Sequence, residues 1–251
     1  MEKTAKRVRI LGYPLDLIRM KDAVEKVETI LKSGKGGHVV TLNPEMIMQA
    51  LKNPCLSKTI KEADLIVPDS IGIIIALRKC GIYNVPQLPG IELADFLIKE
   101  SVANNFSLGF LGASKEVITI LVDELKKTHK NINIVFSRDG YFNSEEEEKI
   151  IDELKKAKPQ ILLVALGVPK QELWIAKQKE ILSSTVMIGV GGSFDVWAKK
   201  VKRAPSVFRK FGLEWFYRLI SEPSRFGRMF PTLPLFLLKI LFNFQSVVKE
   251  F

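Results

Sequence analysis

Only two cysteines, Cys55 and Cys80, occur in 251 residues. Two thiols cannot build a disulfide framework, so both are expected to be free in a reducing compartment. Histidine is equally scarce, with only two. His38 opens an apolar stretch and His129 sits among lysines near a helix end. Both read as structural or surface residues, and no His/Cys cluster has metal-ligand spacing. No Asp-x-Asp pair is present to hold a metal on a nucleotide diphosphate, and no Gly-x4-Gly-Lys-Ser/Thr phosphate loop occurs. Gly189-Val190-Gly191-Gly192 lacks the third glycine of the dinucleotide fingerprint and comes late in the chain, which argues against a nicotinamide oxidoreductase. No secretory signal is visible, because charges break up residues Met1 to Lys35. The expected location is therefore the cytoplasm.

What is present is a folded, basic chain. It is 47% hydrophobic and 26% charged, which is the balance of a protein with a real core. The formal net charge is +10, and its placement is uneven. Lys199, Lys200, Lys202, Arg203, Arg209, Lys210, Arg218, Arg225 and Arg228 face only two acids in the same stretch, Glu214 and Glu222. An anionic partner is expected there: phosphate, phospholipid or nucleic acid.

Short apolar runs alternate with helical patterns. Strands are expected at Val8–Leu11, His38–Leu42, Leu65–Val67, Leu108–Leu111, Ile132–Phe136, Ile161–Leu166 and Val186–Val190. Helices are expected at Lys21–Lys32, Pro44–Lys52, Ile71–Lys79, Ile91–Asn104, Lys115–Lys127, Ser144–Lys156 and Pro169–Leu182. This alternation predicts an α/β fold, Rossmann-like, with a mostly parallel sheet and helices on both faces. Asn43-Pro44 reads as an N-cap with proline at the first helical position, and Ser144 to Glu147 reads as a capping box. The acidic run Glu145–Glu148 reads as a solvated first turn favoured by the helix dipole.

No linker divides the chain before Lys199, so residues 1–198 form the expected core domain and 199–251 an appendage. The appendage mixes Phe208, Phe211, Trp215 and Phe216 with basic residues, then runs into Met229–Val248, which carries one charge, Lys239. Pro231 and Pro234 interrupt that stretch, so an interfacial segment fits better than a spanning helix. The alternative is a helix packed on the domain. Basic residues that border a long apolar stretch favour lipid over nucleic acid.

In open parallel sheets, ligands bind beyond the carboxyl ends of the strands. There the sequence places Thr41 and Asn43, then Pro68-Asp69-Ser70, then Gly112-Ala113-Ser114, then Gly167 to Glu172, then Gly191-Gly192-Ser193 with Asp195. Gly112-Ala113-Ser114 suits an anion at a helix start, and it also reads as a plain strand-to-helix turn. With histidine so scarce, a base is expected to be a carboxylate. Asp69, fixed by Pro68 at a strand end, is the best placed. An Asp in that position also serves as an N-cap for the next helix.

These loops, in this order, resemble the WecG/TagA/CpsF glycosyltransferases (glycosyltransferase family 26). The matching motifs are Thr41-x-Asn43-x-Glu45, Val67-Pro68-Asp69-Ser70, Pro89-Gly90-Ile91-Glu92-Leu93, Asp139-Gly140-Tyr141-Phe142, Gly167-Val168-Pro169-Lys170-Gln171-Glu172 and Gly189 to Asp195. Lys202-Arg203-Ala204-Pro205, Gly212-Leu213-Glu214-Trp215 and Tyr217-Arg218-Leu219 complete the set. The resemblance implies a GT-E type fold and an inverting, metal-independent transferase with no cofactor. Such an enzyme moves a sugar from a UDP donor to a polyprenyl-diphosphate-linked amino sugar at the cytoplasmic membrane face. TagA-like members transfer N-acetylmannosamine to undecaprenyl-diphosphate-linked N-acetylglucosamine in teichoic acid synthesis; others transfer N-acetylmannosaminuronic acid or glucose. The resemblance also implies Asp69 as base, and Thr41, Asn43, Gln171, Arg218, Arg225 and Arg228 as substrate contacts. The nucleotide is expected against Gly112, Ala113, Gly140, Tyr141, Gly167, Gly191, Gly192 and Asp195. Gln87 stands where many members carry Arg. The appendage could also pack between subunits of a homo-oligomer. The rival from another class is a non-catalytic protein that binds membrane surfaces.

Overall fold

The computed structural model describes residues 6–210, 212–221, 226–242 and 247–249. Six parallel strands form the main sheet: β3 (Gly37–Leu42), β4 (Leu65–Pro68), β5 (Leu108–Gly112), β6 (Ile134–Arg138), β7 (Ile161–Ala165) and β8 (Val186–Gly189), in the order β4-β3-β8-β7-β5-β6. Five of the six are buried at every position and β6, at the edge, is not. Burial on both faces explains why they read as continuous apolar runs rather than alternating ones. The chain moves outward from β3 to β4, crosses to β5 and β6, and fills back through β7 to β8 beside β3. The parallel α/β architecture expected from the sequence is the one observed.

Helices α1 (Met20–Lys32), α5 (Gly90–Asn104) and α6 (Lys115–Thr128) contribute buried side chains to one apolar cluster with alternate residues of the sheet. The helices α2 (Pro44–Ala50), α3 (Pro54–Lys61) and α4 (Ile71–Lys79) share a second, with Val40, Leu42 and Ile66. The third, around β6 and β7, takes in α7 (Ser144–Ala157) and α8 (Lys170–Gln178). Asn43 caps α2, its Oδ1 accepting the Met46 N–H at 2.9 Å. The capping box of α7 is displaced by one residue from the expected position. Asn143 is the N-cap and exchanges hydrogen bonds with Glu146.

A second sheet corrects the expectation that residues 8–11 join the parallel one. β1 (Arg7–Ile10) pairs antiparallel with β2 (Tyr13–Asp16), and β9 (Val247–Lys249) pairs antiparallel with β1 on its other side. The two-residue turn Leu11-Gly12, with both φ angles positive, makes the tight hairpin.

The last part of the chain is helical: α9 (Ser193–Trp197), α10 (Ser206–Lys210), α11 (Glu214–Ser221) and α12 (Phe226–Phe242). Pro231 and Pro234 lie inside α12 rather than ending it, so the backbone hydrogen bonds their missing N–H groups would make are forgone. α12 packs on α2 and α4. Its Phe236 and Ile240 are fully buried beside Met46, Ile47, Ile73 and Ile74. Among the described residues no helix is long and apolar enough to cross a membrane.

Candidate active site

The cleft opens at the carboxyl edge of the main sheet, over β3, β4 and β8. It has a volume of about 530 Å³. Thr41, Asn43, Asp69, Gln171, Gly191 and Gly192 line it, with Gly167 on the rim. Trp215 and Leu219 of α11, and Leu233 and Phe236 of α12, form an apolar wall. The appendage is thus part of the cleft and not an annex to it.

Asp69 leaves β4 with its backbone N–H donating to Leu42 at 3.0 Å. Its Oδ1 accepts the Gly90 N–H at 2.6 Å, at the start of the 15-residue α5. The carboxylate therefore does cap a helix, but not the one that follows it. Ser70 occupies the N-cap of α4 without a side-chain cap bond. Gly90 also lets α5 start close against Thr41, since a Cβ there would lie 3.1 Å from the Thr41 side chain. Gln87 donates its amide N–H to the Asp69 carbonyl at 2.8 Å. Here the neighbour of Asp69 is a neutral amide that holds backbone. Thr41 is buried and its Oγ1 lies 3.4 Å from the Gly189 carbonyl.

Next to the cleft is a smaller hollow of about 370 Å³, lined by Ala113, Gly140, Tyr141, Phe142, Ala165 and Lys170. The β7–α8 turn separates the two, with Leu166 facing the hollow and Gly167 the cleft. The Lys170 ammonium sits 4.8 Å from the centroid of the Phe142 ring and 3.4 Å from the Gly140 carbonyl. The glycines and tyrosine expected against a nucleotide therefore divide. Ala113, Gly140 and Tyr141 lie in the hollow, and Gly167, Gly191 and Gly192 in the cleft. Gly112 lines neither; at φ +134 it packs on β7, where a Cβ would meet the Ala165 carbonyl oxygen at 2.4 Å. Asp195 also lines neither, and its backbone carbonyl accepts the Lys200 and Val201 N–H groups. Arg225 lies outside the described residues. Arg218 lies in α11 and Arg228 in α12.

The basic segment from Lys199 to Arg209 is fastened to the core by ion pairs. Arg203 and Arg209 both reach Glu92 in the first turn of α5, while Lys199 and Lys200 pair with Glu124 and Glu116 of α6. The Trp197 indole N–H donates to Asp95 at 2.7 Å. Burial pushes the Asp95 carboxyl above its ordinary value, with the Trp197 hydrogen bond and Arg203 pulling the other way. Ionisation of Asp95 therefore costs stability as pH rises through its folded-state pKa. Several basic residues that read as a free anion-binding run are thus already partnered, a fact invisible in sequence because the partners lie 75–117 residues away.

An open Rossmann-like sheet with a carboxylate, an amide and glycine turns gathered at its carboxyl edge has the ligand site of an α/β enzyme. Residues 8–248 match the glycosyl transferase WecG/TagA/CpsF family, and the chain belongs to it. Among its relatives is an N-acetylglucosaminyldiphosphoundecaprenol N-acetyl-beta-D-mannosaminyltransferase of Bacillus spizizenii. It is 35% identical over 221 residues, covering 88% of this chain and 85% of the relative. A protein of the same name from Staphylococcus aureus is 36% identical over 236 residues, covering 93% of this chain and 92% of the relative.

Proposed function

We propose that this protein transfers N-acetylmannosamine from UDP to undecaprenyl-diphosphate-linked N-acetylglucosamine, with inversion, without a metal, at a membrane surface. The observation that carries this is Asp69 on the floor of a cleft whose wall is an amphipathic appendage. Asp69 takes the proton from the acceptor hydroxyl as that oxygen attacks the anomeric carbon. The bond from that carbon to the UDP oxygen breaks, and its electron pair leaves on the diphosphate. The relatives' names specify a β-linked product, which is inversion if the donor is α-linked. In this reading the leaving group is met by N–H donors and arginines. Arg218, Arg225 and Arg228 are the arginines assigned to it.

An extended UDP-sugar would lie across the β7–α8 turn, with its base in the hollow and its sugar over Asp69. Tyr141 is 79% exposed there, so Tyr141→Ala should leave the melting temperature unchanged. It should weaken UDP binding about tenfold by calorimetry, the value of one stacked base. Unchanged affinity would remove the base from the hollow.

The reaction is tested with a panel of UDP-sugars and a short-chain lipid-diphosphate N-acetylglucosamine acceptor, with and without chelator, and with the product anomer read by NMR. UDP-N-acetylmannosamine should be the best donor, turnover should survive chelation, and the product should be β-linked. Preference for UDP-glucose or the uronic acid donor would change the substrate and keep the chemistry. Retention, or no transfer from any of them, would overturn the reading.

A further inference from the structure

Behind the cleft runs a buried chain of polar side chains that the chemistry above does not use. Glu172 is 0% exposed and His38, on β3, is 2% exposed. His38 Nε2 and Glu172 Oε2 are 2.6 Å apart. Glu172 Oε1 accepts from Gln171 Nε2 at 3.0 Å, and Gln171 Oε1 accepts the backbone N–H of Gly191 at 3.1 Å. The chain thus links a central strand, two neighbours on α8, and the turn that follows β8. A buried carboxylate is costly unless its oxygens are satisfied, and each oxygen here has a partner. Gly189 makes the room, since a Cβ at that position would lie 2.4 Å from both Gln171 Nε2 and Glu172 Oε1.

A glutamine amide can exchange its two ends with little change of shape. Here its neighbours decide the orientation. A backbone N–H only donates, so the amide oxygen must face Gly191. An ionised carboxylate only accepts, so the NH2 group must face Glu172. One Nε2 hydrogen is then left uncommitted, on a side chain that lines the cleft.

We propose that Glu172, held by His38, is a positioning residue: it fixes Gln171 as a hydrogen-bond donor to a substrate oxygen and pins the Gly191 turn beside it. This rests on the cleft being the transferase site. Glu172→Gln keeps the size but offers either end of an amide, so Gln171 is then oriented by the Gly191 N–H alone.

A double-mutant cycle separates this role from general damage. Gln171→Ala and Glu172→Gln should each lower kcat about tenfold, the order expected for one lost oriented hydrogen bond. The double variant should fall no further than Gln171→Ala alone. Losses that multiply would overturn the proposal. Hydrogen exchange at the Gly191 amide needs no substrate, and it should quicken in Glu172→Gln as it does in Gln171→Ala; unchanged protection would also overturn it. If Glu172→Gln fails to fold, His38 carries the test. His38→Leu should cost turnover and Gly191 protection, and His38→Gln, which keeps a donor, should recover most of both; equal loss in the two variants would sink the idea. A wild-type chain inactive with every UDP-sugar would bring down the assignment of the site, while Gly191 exchange still decides whether Glu172 holds the turn.

Discussion

Replacing Asp69 with Asn should lower turnover by about a thousandfold, the middle of the range for removing a general base, and leave UDP affinity within about threefold. The local geometry makes this a clean test. Oδ1 of Asp69 accepts the first N–H of α5, from Gly90. Asparagine can keep that bond only by turning its carbonyl oxygen toward Gly90. Its NH2 group then stands where the second carboxylate oxygen was, a donor in place of an acceptor, and cannot take a proton. The cap, the start of α5 and the bond from Gln87 to the Asp69 carbonyl all survive, so the melting temperature should move little. Asp69→Ala, by contrast, loses the cap as well and should cost roughly 1 kcal/mol of stability besides. Turnover near wild type in Asp69→Asn would reduce the residue to a helix cap. Equal falls in turnover, affinity and melting temperature in both variants would do the same.

The sheet was legible because its strands are buried on both faces and bounded by turn residues, and periodicity reports that directly. The hairpin strand Tyr13–Asp16 was not. It holds Pro14, spans four residues, and owes its burial to packing under α3 and β4, where Asp16 accepts the Ile66 N–H. Nor could sequence announce that residues 247–249 return to pair with residues 8–10. The site divides along the same line. Thr41, Asn43, Asp69 and Gln171 could be placed at the cleft because each stands at the end of a strand or the start of a helix, and such positions face the carboxyl edge. Glu172 and His38 were passed over because their partnership spans 134 residues. A lone histidine at the head of an apolar strand gives no sign of it. Gly112 and Asp195 were drawn in by the same edge rule. They stand at the right strands but line neither cavity, which the local backbone path decides and spacing does not.

Substituting Leu235, Leu238 and Leu241 together with Ser should abolish most binding to anionic vesicles and leave turnover of a water-soluble acceptor intact. The reason lies in the two faces of α12. Phe236 and Ile240 are fully buried against α2 and α4, and Leu233 and Leu237 face the cleft. Leu235, Leu238 and Leu241, on the opposite side, are between 47% and 56% exposed, with Phe242 next to them. Three leucines at a spacing of three form a stripe, and nothing in the described residues covers it. A helix of this kind is stable on a bilayer if the stripe enters the interface. Each Leu→Ser change removes on the order of 1 kcal/mol of apolar transfer, so the triple variant should partition roughly a hundredfold more weakly in vesicle sedimentation. The inner face is untouched, so the cleft wall and the melting temperature should hold. Activity on a lipid-diphosphate acceptor presented in vesicles should then fall through KM, not kcat. Wild-type vesicle binding by the triple variant would show that the stripe is not the docking face. A matching loss of turnover on the soluble acceptor would show that the outer face of α12 shapes the cleft, and the wall and the anchor would then be one device instead of two sides of a helix.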